Sequence, residues 1–497
     1  MAVALLAGAC SGDDGDTATS DADPDATITE PSSGDWPQPN LDLSGTRAVF
    51  DSPIDSSTVD GLEVAWTYPI VADSPVAGAA ATTPVIVDGT VYLNDLETNV
   101  YAIDLESGEE KWTVEIGVGV FGPSGLAFGD GRIYADRDGS SLAAYDAGTG
   151  EELWSTSLTD EFGGRVLIPP VFYDGRVFSA TTSLVEPGAE GVLTALDAET
   201  GEQLWVFDTL ETDDLWGHPE LNSGGGSWQA PAVDPEAGLV YYGIANPWPS
   251  PGSPEFPNGS SRPGDNKYTD SIVALDIETG ELVWYDQAVE HDIFDRDSII
   301  TAIATVDGED GPEEVVIHTG KLGRVRGFTP EGEKLWDTPI GIHRNDELTE
   351  FEGPLEVMPG NTGGVVTPIA TADGAVYVSV MNAPTFLAGP AMLEVGGNNE
   401  FGQHNAQFLA VDALTGEILW DVELDGDAVG GATVVNDLVF TSNLGGQITA
   451  HDRATGEVVW SHQAPGGING WIAVVGDRLI VPVGLGPEPV LYALQLG

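Results

Sequence analysis

DAETGEQLW, residues 197–205, decides the fold. It opens on an aspartate that can bond its own following backbone. A Thr-Gly pair then makes a tight turn where positive φ is needed, and a short run leads to a tryptophan. The phrase recurs as DLESGEEKW (104–112), DAGTGEELW (146–154), DIETGELVW (276–284), TPEGEKLW (329–336), DALTGEILW (412–420) and DRATGEVVW (452–460). A degenerate copy, DGLEVAW, ends at Trp66, which makes eight copies, each closing on a tryptophan. Upstream of most copies lies another hairpin, such as PVIVDGTVYLND (84–95). Each unit therefore reads as about four short antiparallel strands. One unit is too small to bury both of its faces, whereas radial repetition buries them and leaves only short edges. The expected architecture is all-β, an eight-bladed β-propeller with tryptophans docked between neighbouring blades.

Closure of the ring is legible as well. LEVAWTYPI (62–70) has no strands before it, while the chain ends in the strands of DRLIVPVG (477–484) and PVLYALQLG (489–497) without a tryptophan phrase. The last strands are expected to complete the first blade. Spacing between the tryptophans is uneven, and the long intervals from Trp205 to Trp284 and from Trp336 to Trp420 hold insertions. Insertions in repeat proteins fall on one face and commonly build the site.

Across 497 residues, 16 Lys+Arg stand against 81 Asp+Glu, a net charge of −65. Such a surface repels nucleic acid and draws in cations. Most of these carboxylates read as solvated surface, so the few that matter are identified by position. The one cysteine, Cys10, allows no internal disulfide. It ends a short apolar run, MAVALLAGAC, that resembles the tail of a lipoprotein signal peptide. Residues 1–10 are thus expected to be a signal remnant, with Cys10 anchoring an extracytoplasmic protein to the membrane through a lipid. Residues 11–35 are acidic, small and Pro/Ser-rich and read as a disordered linker, leaving 36–497 for the propeller. No other segment is apolar enough to span a bilayer.

Directly after the first insertion comes VEHDIFDRD (289–297), where Glu290, Asp292, Asp295 and Asp297 crowd around His291. Carboxylates this close repel, so something must reward their proximity: a metal, a proton to be moved, or solvent on a loop. His291 reads as a structural hydrogen-bonding residue, and His404, in the second insertion, as loop surface.

The repeat phrase and several long stretches of residues 35–497 resemble the quinoprotein alcohol dehydrogenases, which use pyrroloquinoline quinone (PQQ). SGGGSWQAPAVDPEAGLVYYGIANPWP (223–249) resembles the family segment supplying a tryptophan beneath PQQ and an asparagine metal ligand; these roles fall on Trp228 and Asn246. RPGDNKYTDSIVALDIETGELVW (262–284) is similar to the family nearly throughout and leads into EHDIFDRD, where the resemblance makes Asp295 the catalytic carboxylate. LVEPGAEGVLTALD (184–197) places a metal-binding glutamate at Glu186, and GKLGRVRGF (320–328) places a cation near the quinone oxygens at Lys321.

The residue types suit these roles. Glu186, Asn246 and Asp295 offer a hard cation such as Ca²⁺ an all-oxygen donor set. Asp297 corresponds to the additional aspartate of lanthanide-using members, and Arg296 between the two offers a competing partner for it. A metal on a quinone carbonyl makes it a better hydride acceptor, a carboxylate can take the substrate proton, and a lysine can stabilise developing charge.

The chain also departs from the family. VGVFGPSGLAF (118–128) carries neither the adjacent cysteines nor the arginine that many members have near the cofactor, which leaves Arg165 and Ser183 as candidates to hold a PQQ carboxylate. NTGGVVTP (361–368) has Val366 and Thr367 where an Asn-Trp pair is frequent. No CxxCH haem motif is present, so electrons are expected to leave for an external acceptor such as a cytochrome c.

The resemblance thus implies a PQQ- and Ca²⁺- or lanthanide-dependent dehydrogenase of alcohol or sugar-like hydroxyls. The alternative is a non-catalytic propeller lipoprotein acting as a scaffold or binding module, since such proteins share the repeat.

Overall fold

In the computed structural model, the repeat phrase is both a turn and a latch. Residues 35–497 are described, apart from 73–77, 184, 213, 309–310 and 392–401; Cys10 and the acidic tract 11–34 therefore lie outside the described residues. Asp197 Oδ1 accepts hydrogen bonds from the backbone N–H groups of Glu199 (3.1 Å) and Thr200 (2.8 Å) and from the Thr200 hydroxyl (2.8 Å). These bonds, the Thr200 hydroxyl first, hold the Asp197 carboxyl below its ordinary pKa. Gly201 takes φ +72°, and a Cβ there would stand 2.6 Å from the ring of Trp154 in the preceding blade. The Trp154 indole N–H in turn donates to Ala198 O at 3.1 Å.

The same seat recurs round the ring. Trp66, Trp112, Trp205, Trp284, Trp336 and Trp420 donate to Leu105, Ala147, Ile277, Pro330, Ala413 and Arg453 carbonyls, each beside the glycine of the next phrase. Trp460 faces a blade with no such phrase. Its ring instead stacks on His462 at 5.8 Å between centroids, and His462 Nε2 meets the Tyr492 hydroxyl at 2.9 Å. Because alanine at 201 would be strained by both its φ and the Trp154 ring, Gly201→Ala is expected to cost about 2–3 kcal/mol. Urea denaturation followed by tryptophan fluorescence checks this, and an unchanged midpoint would dissociate the glycine from the latch.

Seven four-stranded meanders occupy 85–114, 126–157, 171–208, 232–287, 300–339, 370–424 and 433–463. The eighth blade consists of Ala473–Val475, Arg478–Val483 and Val490–Leu496, and its outermost strand is Leu62–Pro69, antiparallel to the C-terminal strand. The ring closes as the strand pattern predicts. The insertions add Ser223–Gly225 paired with Pro247–Trp248, and Leu355–Val357 paired with Thr385–Leu387.

Residues 36–49 form a strap that touches every blade at its first strand. Backbone N–H groups of Ile86, Phe128, Val233, Ile303, Thr371 and Val434 donate to the carbonyls of Trp36, Pro37, Leu43, Ser44, Thr46 and Arg47 at 2.8–2.9 Å. Phe172 N–H donates to Gln38 Oε1 at 3.0 Å, and Arg47 Nη2 donates to Ile472 O at 2.8 Å. A cavity of about 1210 Å³ lies against this strap and the turns beside it; Asp295 does not line it.

One buried carboxyl in the second blade gives the fold a pH signature. Asp136 is fully buried; its Oδ1 accepts from Asp138 and Gly139 N–H, while Oδ2 has no partner among the described residues. Burial raises its pKa to about 7. The folded state thus binds its proton more tightly than the unfolded chain, whose pKa is near ~3.9. Stability is unaffected below that value, falls as pH rises towards 7, and stays reduced above it. Asp136→Asn keeps the Oδ1 acceptor and removes the charge. It is expected to stabilise the protein by about 2–4 kcal/mol at pH 8 and by little at pH 4, an asymmetry that thermal melts at the two values measure.

Candidate active site

The loop VEHDIFDRD is held by its own backbone before any ligand is considered. Asp292 accepts N–H bonds from Phe294 at 2.7 Å through Oδ1 and from Arg296 at 2.8 Å through Oδ2. His291 sets its two ring nitrogens 3.2 Å from the carbonyls of Gly264 and Asn258, the structural role its sequence suggests. This turn gives Asp295 a φ of +64° and aims consecutive side chains in different directions. Arg296 lies 5.2 Å from the Phe294 ring centroid and donates to Asp346 O, leaving Asp297 to another partner.

That partner is Lys321. Its ammonium stands 2.9 Å from Asp295 Oδ1 and 2.6 Å from Asp297 Oδ2, and its backbone N–H donates to Asp297 O at 2.9 Å. The loop carrying it packs tightly, since a Cβ on Gly364 would meet Lys321 O at 2.3 Å. Burial pushes the Asp295 carboxyl up to about 7, against the pull of Lys321 and with the help of Asp297. Burial alone would lower the Lys321 ammonium, but the two carboxylates outweigh it and its pKa stands above the ordinary lysine value. Asp295 Oδ2 accepts no hydrogen bond from the described residues, and Asp295 lines a cavity of about 30 Å³ with Trp248, Phe294, Val357, Asn361 and Leu387.

Asn246 joins this group through its backbone, whose N–H donates to Asp297 Oδ1 at 2.8 Å. Its side-chain Nδ2 turns to Pro247 O, and its amide oxygen accepts no hydrogen bond from the described residues. Trp228 is half-buried with its ring centroid 5.7 Å from Lys321 Nζ. Successive backbone bridges link Arg165 to Thr182 and Thr182 to Gly226, so Arg165, Ser183 and Trp228 are brought to neighbouring segments. Arg165 is exposed and Ser183 is buried. Glu186 sits exposed on the turn after Ser183, its N–H donating to Ser183 O at 3.2 Å; no contact among the described residues ties its side chain to Asp295 or Asp297. His404 is half-buried, its Nδ1 3.0 Å from Asp427 Oδ1.

The donor set suits a hard cation. Two buried or half-buried carboxylates already share one positive charge, and the amide oxygen of Asn246, whose backbone bonds to Asp297, accepts no hydrogen bond from the described residues. Among the described residues no three His, Cys, Asp or Glu side chains form a metal cluster by themselves.

Behind the carboxylates lies a charged shell that no candidate role had been given. Arg262 is fully buried and donates to Asn266 Oδ1 and to the carbonyls of Pro249 and Asp292, locking both insertion ends to the loop. It opens the quoted RPGDN stretch, and a charged residue next to Pro-Gly in an insertion was the available signal.

A family model described as "Glucose/ethanol/alcohol dehydrogenase, beta-propeller domain" matches residues 36–123 and 164–328, just over half of the chain. The chain belongs to this family. A second model, "Outer membrane protein assembly factor BamB", matches 96–222 and 362–486, the repeat-rich parts. The quinohemoprotein alcohol dehydrogenase of Comamonas testosteroni is 28% identical over 489 residues, covering 84% of this chain and 67% of that protein. The lanthanide-dependent methanol dehydrogenase of Methylorubrum extorquens is 26% identical, covering 82% of this chain and 79% of that one. Among curated relatives the matched span runs from 42% to 79% of their length. The crystal structure of the Comamonas testosteroni enzyme superposes with a TM-score of 0.80 at 24% identity, over 94% of this chain and 81% of that chain, which places the fold in the same class.

Proposed function

We propose that the chain is an extracytoplasmic PQQ- and metal-dependent dehydrogenase that oxidises a small alcohol and passes electrons to a separate acceptor such as a cytochrome c. The convergence of Asp295, Asp297 and Lys321 beside Asn246 and Trp228 carries this reading. When bound, the quinone supplies the two-electron acceptor and the cation polarises it. Glu186, Asn246, Asp295 and Asp297 would hold the cation; Trp228 offers a flat apolar face, and Arg165 and Ser183 border the same segment.

The residues of the chain divide the remaining work. Lys321 fixes Asp295 through Oδ1, so Oδ2 is the oxygen left to take the proton of a substrate hydroxyl as its carbon is oxidised to the carbonyl level. The cavity lined by Asp295, about 30 Å³ with Trp248, Phe294, Val357 and Leu387 on its walls, favours a short alkyl chain over a sugar. Asp297 faces the site instead of Arg296, which supports a trivalent ion over Ca²⁺.

The test is to titrate metal-stripped protein with PQQ plus Ca²⁺ and with PQQ plus La³⁺, following bound quinone and dye reduction with methanol, ethanol, octanol and glucose. Saturable binding with turnover of the short alcohols is the expected result. Failure to bind quinone with either ion would hand the chain to a second reading, a non-catalytic propeller scaffold. The second family model and the missing adjacent cysteines and arginine favour that reading.

A further inference from the structure

Among the described residues, Lys321 is the cation that both carboxylates of the site share. Its ammonium lies 2.9 Å from Asp295 Oδ1 and 2.6 Å from Asp297 Oδ2, and its side chain is only 12% exposed. The two contacts are not equivalent. Asp297 Oδ1 accepts the Asn246 backbone N–H at 2.8 Å, so both oxygens of that carboxylate are taken. On Asp295, Oδ2 accepts no hydrogen bond from the described residues. A metal ion held by Asp297 must therefore displace a donor or share an oxygen with one. Asn246 N–H is fixed with its backbone, whose carbonyl accepts from Gly225 N–H at 3.2 Å, whereas Lys321 ends a flexible four-carbon stem. The ammonium is the donor that can yield. Sharing is disfavoured, since two cations on one oxygen repel each other in a poorly screened interior. Yielding does not strand the ammonium, because Asp295 Oδ1 still holds it and the Trp228 ring centroid lies 5.7 Å away.

We propose that Lys321 is a built-in competitor for the metal: its ammonium bridges Asp295 and Asp297 until a polyvalent cation takes Asp297, and it then stays on Asp295 alone. The inference rests on the metal-binding reading above. Occupancy of the site becomes an exchange of one cation for another, so the two carboxylates never face each other uncompensated. Metal affinity is then set in part by how readily Lys321 yields.

The experiment uses the full chain without quinone, at pH 8 in 1 M NaCl. Tb³⁺ buffered by a chelator is titrated while tryptophan-sensitised luminescence is read, with Trp228 beside Lys321 as the local donor. Lys321→Met removes the ammonium and keeps the length of the stem; Lys321→Arg keeps the charge. Tb³⁺ affinity is expected to rise at least about thirtyfold in Lys321→Met and to change less than about threefold in Lys321→Arg. Should Lys321→Met not fold, the unsubstituted protein supplies the second measurement. Trace acetylation by acetic anhydride is quantified by mass spectrometry, with the more exposed Lys111 and Lys334 as internal standards. Saturating Tb³⁺ is expected to speed acetylation of Lys321 about tenfold relative to them, because an amine that loses a carboxylate and faces a metal ion gives up its proton more readily. Tb³⁺ affinity unchanged or lower in folded Lys321→Met, an equal rise in Lys321→Arg, or Tb³⁺ bound with acetylation of Lys321 unmoved would overturn the proposal. Absence of a saturable Tb³⁺ site in both the unsubstituted protein and Lys321→Met would remove the metal reading itself, a distinct result that overturns both.

Discussion

Asp295→Asn is expected to lower turnover with ethanol by about a thousandfold, close to 4 kcal/mol of barrier, in protein loaded with PQQ and metal. The substitution is nearly isosteric. An asparagine Oδ1 still accepts from Lys321, where the present bond is 2.9 Å, and the loop remains fixed by Asp292 bonding to Phe294 and Arg296. What disappears is the second carboxylate oxygen as a proton acceptor, on a residue that lines the small cavity. Loss of one carboxylate also weakens the cation, so the comparison is made at saturating metal, with bound quinone counted by absorbance. Full quinone occupancy with the thousandfold loss identifies Asp295 as the base. Retention of more than a tenth of the activity would place the proton acceptor elsewhere, and loss of quinone with activity would make Asp295 chiefly a binding residue.

The propeller was legible because each blade repeats one local solution: Asp caps the turn, Gly clears the Trp, and Trp latches the neighbour. Every step of that pattern lies within nine residues of sequence, and the unusual ending of the chain announced the shared blade. The strap at 36–49 was not legible, since its bonds go to eight blades far apart in sequence and leave no periodic trace. Of the site, Asp295 and Lys321, which the resemblance singles out separately, form an ion pair, and Asn246 and Trp228 lie beside them. Arg296 competes with Lys321 for Asp297 in the sequence; the turn at Asp295 sends that guanidinium to Phe294 and Asp346, and Asp297 pairs with Lys321. Arg262 escaped notice because burial, unlike charge, is not written locally; it sits in a polar insertion that reads as a loop.

Arg47 is the residue whose loss should cost the fold most. It is wholly buried with no carboxylate beside it, and burial pulls its pKa down to about 9. Removing a desolvated cation would by itself be favourable. Against that stand six hydrogen bonds. Its guanidinium donates to the carbonyls of Pro39, Ala432 and Ile472 and to the side-chain oxygens of Asn40, Thr83 and Thr433, at 2.8–3.2 Å. Those acceptors belong to the strap and to the first, seventh and eighth blades. Thr433 can fall back on its own bond to Ile472 O at 2.9 Å, but the other carbonyls would be left dry. At about 1–3 kcal/mol for each stranded buried group, the acceptors outweigh the relieved cation. Arg47→Met is therefore expected to destabilise by about 5 kcal/mol, read as a lower urea midpoint. Because the strap also bridges every other blade, the unfolding slope should fall too if the ring opens before it unfolds. A midpoint within error of the unsubstituted protein would mean that water enters and satisfies these carbonyls, and that the strap closes the ring through its backbone bonds alone.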